Sequence, residues 1–201
     1  LGAILHPKPQ EALVIGLGTG CTAGWLAKVP EMKHVVVAEL EPAILEVAKL
    51  SAIANYHVLD NPKVEVKLGD GRELLLTSPQ KYDLIFSEPS NPYRAGIANL
   101  YTREFYQSSL ARLNHQGLFL QWFHLYEVKL SDLARVYKTL KSVFPQVEVW
   151  ETGGLDIILV GAQNPLVHDV TFLRQRIAQE PFKTALAVAW RVTDLEGFFS
   201  R

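Results

Sequence analysis

Ala12-Leu-Val-Ile-Gly-Leu-Gly-Thr-Gly20 decides the fold of this chain. An apolar run that reads as a strand buried on both faces leads straight into Gly16, Gly18 and Gly20, and a helical pattern follows from Cys21. Glycine permits a tight turn there and lets the backbone approach a ligand that a β-carbon would exclude. Strand, glycine turn and helix together form the first unit of a parallel α/β sheet. A turn after a strand needs glycine in any case, so the remaining chain must decide whether this loop holds a ligand.

Outward from this loop, β-branched runs at 34–39, 64–68, 82–86 and 117–122 read as four further strands. Helices are expected after Gly20, at Glu41-Pro42 with proline in the first turn, and near Thr102. From Ser131, read as an N-cap, Leu133, Val136, Tyr137, Leu140, Val143 and Phe144 fall on one helical face. Runs at 147–150 and 155–160 are also strand-like, and Glu151-Thr-Gly-Gly154 between them is too short for a parallel crossover, so they pair antiparallel.

A late hairpin on a parallel sheet resembles the S-adenosylmethionine-dependent methyltransferase variant of the Rossmann fold, whereas nicotinamide-binding domains are usually parallel throughout. The expected architecture is therefore α/β and Rossmann-like. Its sheet is mostly parallel, with a C-terminal antiparallel hairpin and helices on both faces. Residues 1–165 form that domain, and 166–201 are a helical extension packed on it. Thr193-Asp-Leu-Glu196 has capping-box spacing for a last short helix. The terminal helices are expected to cover a sheet edge and carry no assigned chemistry.

Composition narrows the partners. With 201 residues, 48% of them hydrophobic, the chain can bury one substantial core. Lys plus Arg total 20 against 21 acidic residues, so no global field favours nucleic acid or an anionic membrane. Cys21, the single cysteine, has no partner for an internal disulfide, and no Cys/His spacing suggests a metal site. A soluble domain in a reducing, cytoplasmic compartment fits. The chain begins at Leu1 without methionine, close to its first strand, which suggests a piece of a longer protein.

Glu39 closes the second strand, where a carboxylate can accept both hydroxyls of an adenosine ribose. Cys21 stands where a dinucleotide fingerprint wants its third glycine, which weakens a pyrophosphate reading but not one for an S-adenosyl ligand. Asp70-Gly71 ends the third strand, where the carboxylate can accept from the adenine amino group. Three polar features at consecutive strand ends are what a crevice ligand requires. Gly16, Gly18, Thr19, Gly20, Glu39, Asp70 and Gly71 are thus the expected donor-binding residues.

Val14-Ile-Gly-Leu-Gly-Thr-Gly20, Ala38-Glu-Leu-Glu-Pro42, Gly69-Asp-Gly71, Tyr82-Asp-Leu-Ile-Phe-Ser-Glu-Pro-Ser-Asn-Pro92, Leu100-Tyr-Thr-Arg-Glu-Phe-Tyr106 and Gln121-Trp-Phe-His-Leu125 together resemble the spermidine and spermine synthase family. The nearer likeness is to a bacterial branch often joined to a membrane segment. The resemblance implies decarboxylated S-adenosylmethionine as aminopropyl donor, an amine or polyamine acceptor, methylthioadenosine as product and no metal. It places Glu88 at the position of the family's principal catalytic aspartate and Asn91 at that of its second. Tyr93 and Trp122 are acceptor-site candidates, and His124 reads as structural. By analogy a homodimer is expected, as is tethering to the inner face of a membrane through a fused or partner segment.

Three positions depart from the family pattern, and each removes or moves negative charge. Thr19 replaces an aspartate that meets the donor's ammonium. Glu88 is one methylene longer than aspartate, and Asn91 keeps an aspartate's shape without its charge. The small N-terminal β-domain of the usual synthases is also absent from these residues. Two rival readings stay open: a methyltransferase using S-adenosylmethionine itself, and a non-catalytic nucleoside-binding domain.

Overall fold

The computed structural model describes residues 1–89, 96–126 and 128–200. Seven strands form its sheet: β1 (Glu11–Ile15), β2 (His34–Glu39), β3 (Val64–Leu68), β4 (Tyr82–Ser87), β5 (Leu113–His124), β6 (Gln146–Gly153) and β7 (Asp156–Ala162). Their order is β3-β2-β1-β4-β5-β7-β6. β1 to β5 run parallel, and β7 lies antiparallel to both β5 and β6. The expected fold class and its late hairpin are therefore present. Strand order reverses between β1 and β4, which opens a crevice at their C-terminal ends.

Alternation along the strands builds two apolar layers, because successive side chains point to opposite faces. Val14, Val37, Phe86, Leu120 and Val160 enter one layer; Leu13, Val36, Ile85, Phe119 and Leu159 enter the other. Fully burying each such side chain contributes roughly 1.5–3 kcal/mol, so a sheet covered on both faces is the stable outcome for these continuous apolar runs.

Helices cover both layers. In chain order they are α1 (Gly2–Leu5), α2 (Cys21–Lys28), α3 (Ile44–Leu50), α4 (Gly71–Thr77), α5 (Arg103–Ala111), α6 (Leu130–Lys141), α7 (Val170–Ile177), α8 (Phe182–Ala185) and α9 (Leu195–Phe199). The expected face of α6 is the packed one, with Leu140 and Phe144 fully buried. Its cap differs from expectation: extended Lys129 precedes the helix, so Ser131 sits inside the first turn. Glu41 and Pro42 form a turn that leads into α3, their carbonyls accepting from Ile44 and Leu45 at 3.0 and 3.1 Å.

The sequence reading did not anticipate α1 or α4. At the last helix, Asp194 rather than Thr193 is the cap, and its side chain accepts from Gly197 N at 2.7 Å. Glu196 is drawn away to Arg174, so no capping box closes. The C-terminal helices do more than shield an edge. Leu173, Ile177, Phe182, Leu186, Leu195 and Phe198 join the same apolar layer as Val14 and Leu120. They reach edge strand β6 where Trp150 meets Phe198 at 5.3 Å between ring centres.

Candidate active site

The glycine loop links β1 to α2. Gly18 has φ +52° with open space where a β-carbon would stand, and Gly20 has φ +80° with Val58 Cγ1 only 2.7 Å from that position. An L side chain would be strained at either, and at Gly20 would also collide. Buried Asn55, which the sequence reading passed over, fixes the loop from below. Its Nδ2 donates to the Thr19 and Ala48 carbonyls, both at 2.7 Å, and its Oδ1 accepts from Val58 N at 3.2 Å. Thr19 itself is exposed.

Glu39 ends β2 and is 8% exposed. One carboxylate oxygen accepts from Leu17 N at 2.8 Å, the other from Glu41 N at 2.9 Å. It therefore ties the glycine loop to the exit of β2. Each oxygen retains acceptor capacity, since a carboxylate offers about four lone-pair sites. Glycine loop, strand end and carboxylate thus stand together at the crevice.

Asp70 and Gly71 follow the C-terminal end of β3. Asp70 caps α4 by accepting from Arg72 N at 2.9 Å, and the Arg72 guanidinium grips the same carboxylate at 2.5 Å. Hydrogen bonding from Arg72 holds the Asp70 carboxyl below its usual range. Gly71 packs directly on β1, where a β-carbon would lie 2.7 Å from Ile15 Cγ2. Asp70, expected to meet a ligand, is engaged by Arg72.

Glu88 follows β4 and stands at the point where the strand order reverses. Its N–H donates to Ile15 O at 3.1 Å, and its carbonyl oxygen lies 3.2 Å from the β-carbon position of Gly16. The side chain turns to α2, where Thr22 Oγ1 donates to Glu88 Oε1 at 2.9 Å. Desolvation lifts the Glu88 carboxyl above its ordinary value, with the Thr22 hydrogen bond offsetting part of the rise. Asn91 and Tyr93 lie outside the described residues.

Beside Glu88 opens a cavity of about 350 Å³. Thr22, Trp25, Phe86, Trp122 and Ile158 line it with Glu88. Trp122, an expected acceptor-site residue, is among the side chains lining it. Trp25 and Thr22 were missed, although their place in the helix after the glycine loop was the available signal. His124 stacks on Trp122 at 5.6 Å between ring centres and pairs with Asp156 across β5 and β7. Among the described residues no group of three or more His, Cys, Asp or Glu is arranged to hold a metal ion, and no helix is long and apolar enough to cross a membrane.

Sheet order, glycine loop and the acidic end of β2 define a Rossmann-like domain of the methyltransferase type. The family profile described as the spermine/spermidine synthase domain matches residues 1–152, and the chain belongs to that family. A polyamine aminopropyltransferase of Nitrosomonas europaea is 32% identical over 146 residues, covering 72% of this chain and 44% of that protein. The chain spans about half the length of the curated relatives it matches. A spermidine synthase solved in complex with the transition state analogue AdoDATO superposes with a TM-score of 0.79 at 19% identity, over 95% of this chain and 69% of that one. Human methyltransferase-like protein 13 in complex with SAH gives 0.70 at 21% identity, over 95% and 89%. At these identities the two structures speak to the fold.

Proposed function

We propose that this chain is the catalytic domain of an aminopropyltransferase that moves an aminopropyl group from decarboxylated S-adenosylmethionine to an amine. The observation that carries this reading is Glu88, a desolvated carboxyl with its backbone against the glycine loop and its side chain at an apolar cavity. Family membership and the aminopropyltransferase relatives support the donor and the reaction class.

In this reading the donor supplies a carbon activated by a sulfonium. The chain's own residues do the rest. Gly16, Gly18, Thr19 and Gly20 give the nucleoside close backbone approach, Glu39 accepts from its ribose hydroxyls, and Asp70 with Gly71 borders the adenine. The acceptor amine must arrive unprotonated, although free amines have pKa values near ~10. An apolar cavity favours the neutral amine by desolvation, and a carboxylate whose own pKa is raised is the better proton acceptor.

The amine lone pair forms the new C–N bond as the C–S bond breaks. The leaving pair stays on sulfur, which becomes the neutral thioether of methylthioadenosine. The nitrogen's proton passes to Glu88 and from there to solvent. Asn91 and Tyr93 belong to the proposed acceptor side through the family pattern. Holding the reacting atoms in line is the main task of such a site.

Incubation of the full chain with the decarboxylated donor and a panel of amines tests this directly. Methylthioadenosine released in proportion to aminopropylated amine is the expected result. Release of S-adenosylhomocysteine from the ordinary donor, with no methylthioadenosine from the decarboxylated one, would replace it with methyl transfer.

A further inference from the structure

A second cleft, of about 580 Å³, opens between the start of α5 and the outer face of α6, and it shares no residue with the Glu88 cavity. Arg103 lines it from α5, and Ser131, Ala134, Arg135 and Lys138 line it from α6. Helical spacing explains the second group. Residues three and four apart share a face, so these four form one stripe, while Val136 and Leu140 are buried on the other side. With only a methyl group at Ala134, the stripe is hollow between its longer side chains.

Arg103, Arg135 and Lys138 bring three cations to this cleft, and among the described residues no acidic side chain lines it. Arg135 is matched by Asp132, which accepts from its Nη1 at 3.0 Å. Arg103 and Lys138 make no side-chain hydrogen bond or ion pair among the described residues. Two positive charges therefore stand at the cleft without a partner, and like charges gathered in a concave site raise the local potential toward anions. The hydroxyls of Thr139 and Ser142 donate to the Arg135 and Thr139 carbonyls at 2.8 and 2.7 Å, which leaves Ser131 as the hydroxyl donor for a ligand. Since the whole chain has a net charge of −1, this positive region is local, whereas a nucleic acid or an anionic bilayer requires a broad basic face.

We propose that this cleft binds a small phosphorylated molecule through a doubly charged phosphate group. The guanidinium of Arg103 offers a planar fork to two phosphate oxygens, Lys138 meets the group as a point charge, and Ser131 donates from the first turn of α6. Arg135, steadied by Asp132, stands beside them. The proposal is independent of the aminopropyl-transfer reading, because neither the glycine loop nor Glu88 takes part in it.

Calorimetric titration of the full chain with inorganic pyrophosphate at low salt tests this. One site per chain is expected, with a Kd below about 1 mM. Arg103→Gln and Lys138→Gln, both at exposed positions, should each weaken binding by about fivefold or more, while Lys138→Arg should hold it within about twofold. Lys33→Gln removes the same charge from an exposed position ahead of β2 and should change the Kd by less than about 1.5-fold. Thermal unfolding of each variant confirms that it folds. The absence of saturable binding, binding that survives loss of both Arg103 and Lys138, or equal weakening by Lys33→Gln overturns the proposal.

Discussion

Replacing Glu88 with glutamine separates chemistry from scaffold. Glutamine has the same length and can still accept the Thr22 hydroxyl bond now made at 2.9 Å, so the loop and the cavity keep their shape. Only the proton acceptor is lost. A positioned general base contributes about 10²–10⁴-fold, so turnover should fall by that factor, while the Kd for methylthioadenosine changes by less than about twofold.

The pH dependence follows from the direction of the Glu88 shift. Desolvation raises its carboxyl above the ordinary 4.5, so the native state favours the protonated form. That contribution to stability is complete below the unfolded-state pKa and is lost as pH rises through the folded-state value. Glu88→Gln should therefore melt no lower than the parent at neutral pH, and any advantage should shrink on acidification toward 4.5. The parent's turnover should drop on acidification at a pH above 4.5, and the variant should lack that limb. Methylthioadenosine release, calorimetric binding and thermal melts read all three. Turnover retained within about threefold, or lost in proportion to nucleoside affinity, would refute the role assigned to Glu88.

Other substitutions probe the crevice. Glu39→Ala leaves the Leu17 and Glu41 N–H groups without their acceptor, at about 1–3 kcal/mol each, and urea unfolding should show a loss of that order together with weaker nucleoside binding. Arg72→Ala frees the Asp70 carboxylate from a partly exposed ion pair, so affinity for an adenine nucleoside should rise by up to about fivefold in calorimetry; unchanged or weaker binding would speak against adenine recognition by Asp70. Gly24→Ala puts a β-carbon 2.0 Å from Asn55 O, and since backbone cannot swing aside the melting temperature should fall by an amount equivalent to about 1–3 kcal/mol or more.

Much of this architecture is legible in the chain because the central strands carry continuous apolar runs and edge strand β3 alternates apolar with charged residues. β2 and β3 fall at their expected residues, and the hairpin of β6 and β7 follows from the short Gly-Gly connection. α4 escaped because its opening, Asp70-Gly71, also reads as a turn, and its cap depends on an Asp70 carboxylate that had been assigned to a ligand. The candidate site was legible at strand ends, where Glu39 and Glu88 stand. It was not legible where tertiary packing joins distant segments. Thr22 meets Glu88 across 66 positions, and Asn55 reaches back 36 to hold the glycine loop. Nothing in 181–190 announces that it lines the same cavity as Glu88, since an apolar helix looks the same whichever surface it covers.

A structure with methylthioadenosine bound tests the whole account most directly. The ribose hydroxyls should lie within hydrogen-bond reach of Glu39, with the sulfur turned toward Glu88 and the cavity. A nucleoside bound elsewhere, or one whose sulfur points away from Glu88, would contradict it.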